Sequence, residues 1–322
     1  MNITSFAKSS FGLLLLSTTI CVVLLAGTYE AVENIRYHRW KRNFDKIGLL
    51  AVRSPNPVLM WEYRPYAEWQ KLKINRYGFR DRDYESMAKP ANTYRVAFIG
   101  DSITLGLFVA VEETFVRQFE AAANQGVLLH KVQALNFGID GYNTPQVYEM
   151  LRTRVLDFAP DEIVYVLCLN DFDFEDSSGT KILYFQKPAS FVLAALEEVY
   201  RHRIYQQLLG GDFHLYHFKK NKQIVFQKIL EMKAILEAES IRFQVVVLPV
   251  FHETATDFRE YPLRGMHKEI GTFLHANGIQ YFDLLEAFTE QPKPPKFYAH
   301  DIWHPNPEGH RLIAQNLRSV LR

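Results

Sequence analysis

Cysteine is nearly missing from this chain, with only Cys21 and Cys168 among 322 residues. They sit in separate apolar contexts and cannot build a disulfide framework, so they say nothing about redox compartment. An excess of one charge sign is missing as well. The formal net charge is +1, and no basic run is interleaved with aromatics, which argues against a nucleic-acid partner. No internal repeat or low-complexity tract occurs, which excludes a repeat array. What remains is an apolar fraction of 48% over 322 residues, enough for one large domain plus an anchor.

Charge is locally absent too, between Lys8 and Glu30. Within that gap Phe11–Ala26 reads FGLLLLSTTICVVLLA. About 20 helical residues at roughly 1.5 Å each match the ~30 Å hydrocarbon core of a bilayer. A cleaved signal peptide would want small residues before the cut, and Leu-Ala-Gly-Thr at 25–28 serves poorly. The expectation is a retained single-pass anchor over 1–29. Its flanks disagree about orientation: Lys8 precedes the span, whereas Arg36, Arg39, Lys41 and Arg42 follow it. The positive-inside rule would then place the remainder in the cytoplasm, unless Ile35–Phe44 continues a helix that those charges serve.

Residues 30–90 read as a junction rich in aromatics and arginine, ending in Asn75-Arg-Tyr-Gly78-Phe-Arg80-Asp81. That run is expected to be a packed β-turn with solvated charges, with Gly78 at positive φ. From 91 onward strands and helices alternate. Short apolar runs at 95–99, 132–137, 163–169, 243–249 and 280–284 suit strands buried on both faces. Helical patterns follow at 112–124, 145–158, 265–276 and 307–321, the last opened by Asn306 as N-cap and Pro307 at the first position. The alternation predicts an α/β fold, a doubly wound parallel sheet between helical layers. An insertion over 172–240 breaks the rhythm. It is expected to hold helices near 189–208 and 223–239 joined by a loop over 210–217, together forming a lid.

Four short blocks carry chemistry. Gly100-Asp101-Ser102 stands where an apolar strand breaks into a turn, and Asn136-Phe-Gly-Ile-Asp-Gly141, Asn170-Asp171 and Asp301-Ile-Trp-His304 follow. Any one alone is ordinary turn chemistry. A serine at a sheet's carboxyl edge needs a base to become a nucleophile. His304 is the candidate, and Asp301 three residues earlier can orient its ring. The backbone N–H groups of Ser102 and Gly141 and the side-chain amide of Asn170 are candidate donors to an oxyanion.

Together, in this order and spacing, the blocks resemble those of the SGNH (GDSL-type) serine hydrolase family over roughly Tyr94 to Arg322. The resemblance implies a three-layer sandwich around a parallel five-stranded, flavodoxin-like sheet. It also implies Ser102 as nucleophile, His304 as base, Asp301 as orienting carboxylate, and Gly141 and Asn170 in the oxyanion hole. Gly141 is favoured over Gly138 because the family's glycine lies five residues beyond the matching asparagine. The implied activity is a serine esterase without cofactor or metal, acting on an O-acyl ester, acetyl above all, of a cell-envelope or exported glycan. Relatives with such an anchor work outside the inner membrane. An acyltransferase or a lipid esterase would use the same residues, and a catalytically silent binding protein is the rival from another class. The sequence departs from the family at Cys168, which replaces a glycine two residues before Asn170, and at Ile103, which replaces leucine.

Other clusters are weaker. His300, Asp301, His304 and His310 resemble metal ligands, but the serine blocks explain Asp301 and His304 better. Asp171, Asp173, Glu175 and Asp176 resemble a calcium loop without its glycine, and read as a solvated loop or as contacts for a hydroxylated substrate. His252 ends another strand and reads as core or cleft rim. The Gly-x-Ser-x-Gly elbow of the α/β-hydrolases is absent.

Overall fold

The computed structural model describes residues 10–47, 50–69, 72–125, 130–174, 187–200, 212–251 and 257–317. The chain divides into two compact units, Met1–Leu49 with Phe185–Gly211, and Leu50–Tyr184 with Asp212–Arg322.

The first unit is built on α1 (Ser10–Ile47). Its apolar residues face outward, Leu25 being 71% exposed and Leu14 64%. Its hydroxyl groups turn inward along the helix: Thr18 donates to the Leu14 carbonyl, Thr19 to Leu15 and Thr28 to Leu24, each at 2.8 Å. A helix in hydrocarbon must satisfy its polar groups in this way. Phe11–Arg39 is long and apolar enough to cross a membrane. The helix continues through the basic residues after the span, and Arg36 pairs with Glu33 at 2.6 Å, so these charges belong to the helix itself.

The second unit opens with two antiparallel ribbons. In the first, β1 (Ala51–Arg53) pairs with β2 (Trp61–Tyr63); in the second, β3 (Glu68–Trp69) pairs with β4 (Leu72–Lys73). The main sheet follows: β5 (Thr93–Gly100), β6 (Lys131–Gly138), β7 (Glu162–Cys168), β8 (Arg242–Leu248) and β9 (Gln280–Asp283), in the order β6-β5-β7-β8-β9. Every pairing is parallel. This is the doubly wound order in which chain direction reverses beside the first strand, and ligands collect at the carboxyl ends there. All seven residues of β7 are buried, as a central strand covered on both faces requires.

The covering helices are α2 (Ser102–Leu105), α3 (Phe115–Ala123), α4 (Thr144–Met150), α6 (Phe213–Ala238), α7 (Arg264–Ala276), α8 (Leu284–Thr289) and α9 (Pro307–Leu317), with α5 (Phe191–Val199) in the first unit. The expected helix over 145–158 is shorter in α form. It passes into a π turn at Leu151–Val155 and a 3-10 turn at Leu156–Phe158. Asn306 caps α9 by accepting from the N–H groups of Glu308 and Gly309 at 3.0 Å each.

Three expectations need correction. The loop expected at 210–217 is helical from Phe213, because Asp212 caps that turn by accepting the Leu215 N–H at 2.9 Å. The turn expected at 75–81 is packed, but of its charges, expected to be solvated, only Arg76 is exposed while Arg80 and Asp81 are buried. Gly78 does take φ 78°, but Phe79 packs edge-on against Phe137 of β6 at 4.7 Å, and Arg80 is 1% exposed. The segment expected as one lid divides, since α5 belongs to the first unit whereas α6 packs on α4 and β8 in the second.

Candidate active site

The carboxyl ends of β5 and β6 run in register, with Gly100 opposite Gly138. Two residues past Gly100 stands Ser102, the first residue of α2, with Asp101 as its N-cap. Asp101 is fully buried. One carboxylate oxygen accepts the Ile103 N–H at 2.9 Å and the other accepts Asn170 Nδ2 at 2.8 Å. Burial raises the pKa of this carboxyl, opposed by the hydrogen bond from Asn170. Asp101 therefore clamps the start of α2 to the end of β7.

Across the edge, the turn before α9 brings back Asp301 and His304. His304 Nε2 lies 2.9 Å from Ser102 Oγ, and its Nδ1 lies 2.7 Å from Asp301 Oδ2. Asp301 Oδ1 also accepts the backbone N–H groups of Trp303 at 2.8 Å and His304 at 2.7 Å. Partial burial would raise the Asp301 pKa, but these bonds outweigh it and hold the carboxyl below its ordinary value. The Asp301 side chain is 39% exposed and that of His304 13%, so the pair sits at an open rim.

Of the candidate oxyanion donors, Gly141 follows the end of β6 and Asn170 the end of β7. Gly141 adopts φ 72°, a left-handed turn that glycine enters without strain, and its exposed N–H makes no bond to another described group. Gly138 differs. Its N–H is taken by Asn136 Oδ1 at 2.9 Å, and a Cβ there would lie 2.0 Å from the Leu105 N atom. Gly138 thus serves close packing of β6 against α2, while Gly141 keeps a free donor. Asn136 also donates to the Thr104 carbonyl at 2.7 Å. The Asn170 amide spends one N–H on Asp101, and its nitrogen carries a second.

Sequence reasoning missed how the 75–81 run supports this edge. Arg80 donates to the carbonyls of Leu105 at 2.8 Å, Gly106 at 2.6 Å and Val109 at 2.5 Å. Asp81 accepts the Asn136 N–H at 2.8 Å. The run binds the exit of α2 and the strand carrying Asn136 at once. Its place just ahead of the serine block was the available signal. Phe108 was missed as well. It is 51% exposed at φ 73°, with its ring edge-on to His304 at 5.2 Å and to His300 at 5.9 Å.

Other sequence candidates fall elsewhere. Asp171 and Asp173, expected in a solvated loop, are 0% and 6% exposed. Asp171 accepts the Cys168 N–H at 2.9 Å and the Tyr165 hydroxyl at 3.2 Å, and burial pushes its pKa well up. Asp173 lies 3.2 Å from the buried His217 at the start of α6. The Cys168 thiol is buried, which pushes its pKa up as well, so it fills space as an inert side chain. His310 stacks on Phe115 at 5.7 Å and accepts its N–H at 3.3 Å. Burial lowers its pKa to about 3. His252, Glu175 and Asp176 lie outside the described residues. Among the described residues no group of three or more His, Cys, Asp or Glu is arranged to hold a metal ion.

The model of the GDSL-like lipase/acylhydrolase family matches residues 98–312, from inside β5 into α9. The chain belongs to this family. It is accordingly a carboxylic ester hydrolase. Solved structures similar to it include the acetyl xylan esterase AlAXEase, at 15% identity over 71% of this chain and 100% of that one, TM-score 0.48. A catalytic mutant of the acetylxylan esterase Axe2 from Geobacillus stearothermophilus is 18% identical over 70% and 94%, TM-score 0.45. A member of the lipolytic G-D-S-L family from Veillonella parvula is 18% identical over 71% and 97%, TM-score 0.40. No curated protein matches the sequence at a significant level.

Proposed function

We propose that Ser102 is the nucleophile of this hydrolase, His304 its general base and acid, and Asp301 the carboxylate that orients His304. The observation that carries the reading is the unbroken relay from Ser102 Oγ through both ring nitrogens of His304 to Asp301, at 2.9 and 2.7 Å. In the first step Ser102 Oγ attacks the ester carbonyl as Nε2 takes its proton. The tetrahedral oxyanion accepts from the N–H groups of Ser102 and Gly141 and from the second N–H of Asn170. His304 then protonates the departing alcohol, leaving an acyl-serine. Water attacks next with His304 as base, releasing the acid and restoring Ser102. General acid–base transfer of this kind contributes about 10²–10⁴-fold. The residues named need no cofactor.

For the substrate we propose an O-acyl group, acetyl in the first instance, on a cell-envelope or exported glycan. Support comes from the exposed His300 beside the relay, which suits a hydroxylated alcohol portion, and from an apolar helix able to hold the chain at a membrane. The basic residues that oppose an extracytoplasmic site by the positive-inside rule continue α1 as helix, and Arg36 is paired there with Glu33. We place the hydrolase unit outside the cytoplasm on that basis.

The deciding experiment is intact-mass analysis after incubation with a fluorophosphonate. A single adduct that vanishes in Ser102→Ala, with hydrolysis of p-nitrophenyl acetate lost in parallel, is expected. Full turnover by Ser102→Ala would sink the mechanism, and a folded protein that takes no adduct would favour a binding role.

A further inference from the structure

The part of the insertion that belongs to the first unit has no role in the chemistry above. Helix α5 docks on α1 through Glu30, the first charged residue after the apolar run. One Glu30 carboxylate oxygen accepts the Ser190 hydroxyl at 2.9 Å and the Val192 N–H at 3.0 Å, at the first turn of α5. Tyr37 meets Phe191 with ring centroids 6.1 Å apart. The half-buried residues along this part of α1 are Ala26, Glu30, Glu33, Asn34 and Tyr37, a single stripe at helical spacing. From Ala26 to Tyr37 the stripe is about 16 Å long, close to the ~13 Å of nine helical residues. It begins on the last apolar residue of FGLLLLSTTICVVLLA. Helix α5 is therefore fixed where hydrocarbon would give way to head groups.

At that depth the opposite faces of α5 differ from those of an ordinary surface helix. Phe191, Ala194 and Ala195 are half-buried. Leu193, Leu196 and Val199 stand on the other side, at 66%, 60% and 49% exposure. Three large aliphatic side chains on one 120° arc would be a liability in water. Seated in the acyl–headgroup boundary they are at home, because an amphipathic helix binds there by burying its apolar face. We propose that α5 is a helix seated beside α1 at the membrane interface, with the lipid acyl–headgroup boundary as its partner. Glu30 is the hydrogen-bond acceptor that holds it at that depth. The proposal rests on reading α1 as a membrane span.

The test uses the full chain reconstituted in nanodiscs. One sample carries the environment-sensitive fluorophore NBD on the native Cys21, inside the apolar run. The other carries it on Leu196→Cys in a Cys21→Ser background, with the buried Cys168 left in place. Both probes should emit blue-shifted and be quenched by lipids brominated or spin-labelled in the acyl chain, the Leu196 site more strongly by shallow labels. Adding Glu30→Ala should cut quenching at position 196 by about half or more while leaving Cys21 unchanged. A quenched Cys21 with a water-like, unquenched probe at 196 overturns the proposal and leaves the anchor standing. Two unquenched probes overturn both. Quenching at 196 that Glu30→Ala does not move overturns the role assigned to Glu30.

Discussion

At the scale of single residues, the site consists of groups that sequence spacing already paired and groups that it could not. Ser102, Asp301 and His304 were legible because each stands in a short block, and Asp301 and His304 share one turn. Gly141 and Asn170 were proposed as donors from their places in the family's blocks, each a few residues past the end of a strand. Asp101 was not read as a clamp, since its partner Asn170 is 69 positions away and only the parallel pairing of β5 with β7 brings them together. In the proposed mechanism that clamp bears on catalysis. Asn170 is held by one N–H so that the other is fixed in direction, and fixed donors are what stabilise an oxyanion without reorganisation. Replacing Asn170 by alanine is expected to lower kcat on p-nitrophenyl acetate by about 10²–10³-fold with KM changed far less. Steady-state kinetics beside circular dichroism of the folded variant check this. Unchanged kcat would remove Asn170 from the oxyanion hole.

At the scale of elements, the parallel sheet and most of its helices could be read from apolar runs alone, because a strand buried on both faces has little other way to be written. The helix over 213–222 was hidden. His214, His217 and Asn221 are polar residues on its buried face, so the pattern there resembles a loop until Asp173 and the Phe172 carbonyl supply partners. Arg80 was hidden for a similar reason: its burial is repaid by carbonyls near the exit of α2, 25 to 29 residues on. Truncating it strands three acceptors with no cation. Arg80→Ala should therefore destabilise the fold by about 3–5 kcal/mol, with fluorophosphonate labelling of Ser102 slowed even where the variant remains folded. Denaturant titration and labelling rates measure the two effects separately. The join of α3 to α9 makes a different prediction. His310 is neutral in the folded chain down to about pH 3, against an ordinary value of 6.5. Between those values the unfolded chain binds one proton more than the folded one. The stability this group contributes is thus complete above about pH 6.5 and is lost as the pH falls, by up to ~1.4 kcal/mol per pH unit. His310→Gln should flatten the fall of unfolding free energy between pH 6.5 and 4, and an unaltered slope would refute the burial account.

At the scale of the molecule, an ester hydrolase carried on an apolar helix could serve either the bilayer or what lies beyond it, and the two duties demand different acyl pockets. A lipid esterase gains from each methylene it buries, about 0.8 kcal/mol apiece. Six methylenes, from acetate to octanoate, would then raise kcat/KM by roughly three orders of magnitude, at ~1.4 kcal/mol for each tenfold. The residues next to Ser102 and at the ends of β6 and β7 are tightly packed. Ser102 is 4% exposed, the Cys168 position is filled to 0% exposure, and Ile103, Leu105, Ile139 and Tyr142 are packed shut, whereas Phe108 and Asp301 stand out on the rim. An acetyl ester, the substrate proposed above, asks for acyl room for a single methyl group. Across p-nitrophenyl acetate, butyrate, hexanoate and octanoate, kept below their critical micelle concentrations, kcat/KM should be highest for acetate and fall with each lengthening. A rise of tenfold or more toward octanoate would instead assign the site to membrane lipid esters. With the expected profile in hand, adding an acetylated glycan as donor and an unacetylated one as acceptor divides the remaining choice. Acetate released in proportion to donor consumed marks water as the second nucleophile, and acetyl appearing on the acceptor marks a transferase working through the same Ser102 and His304.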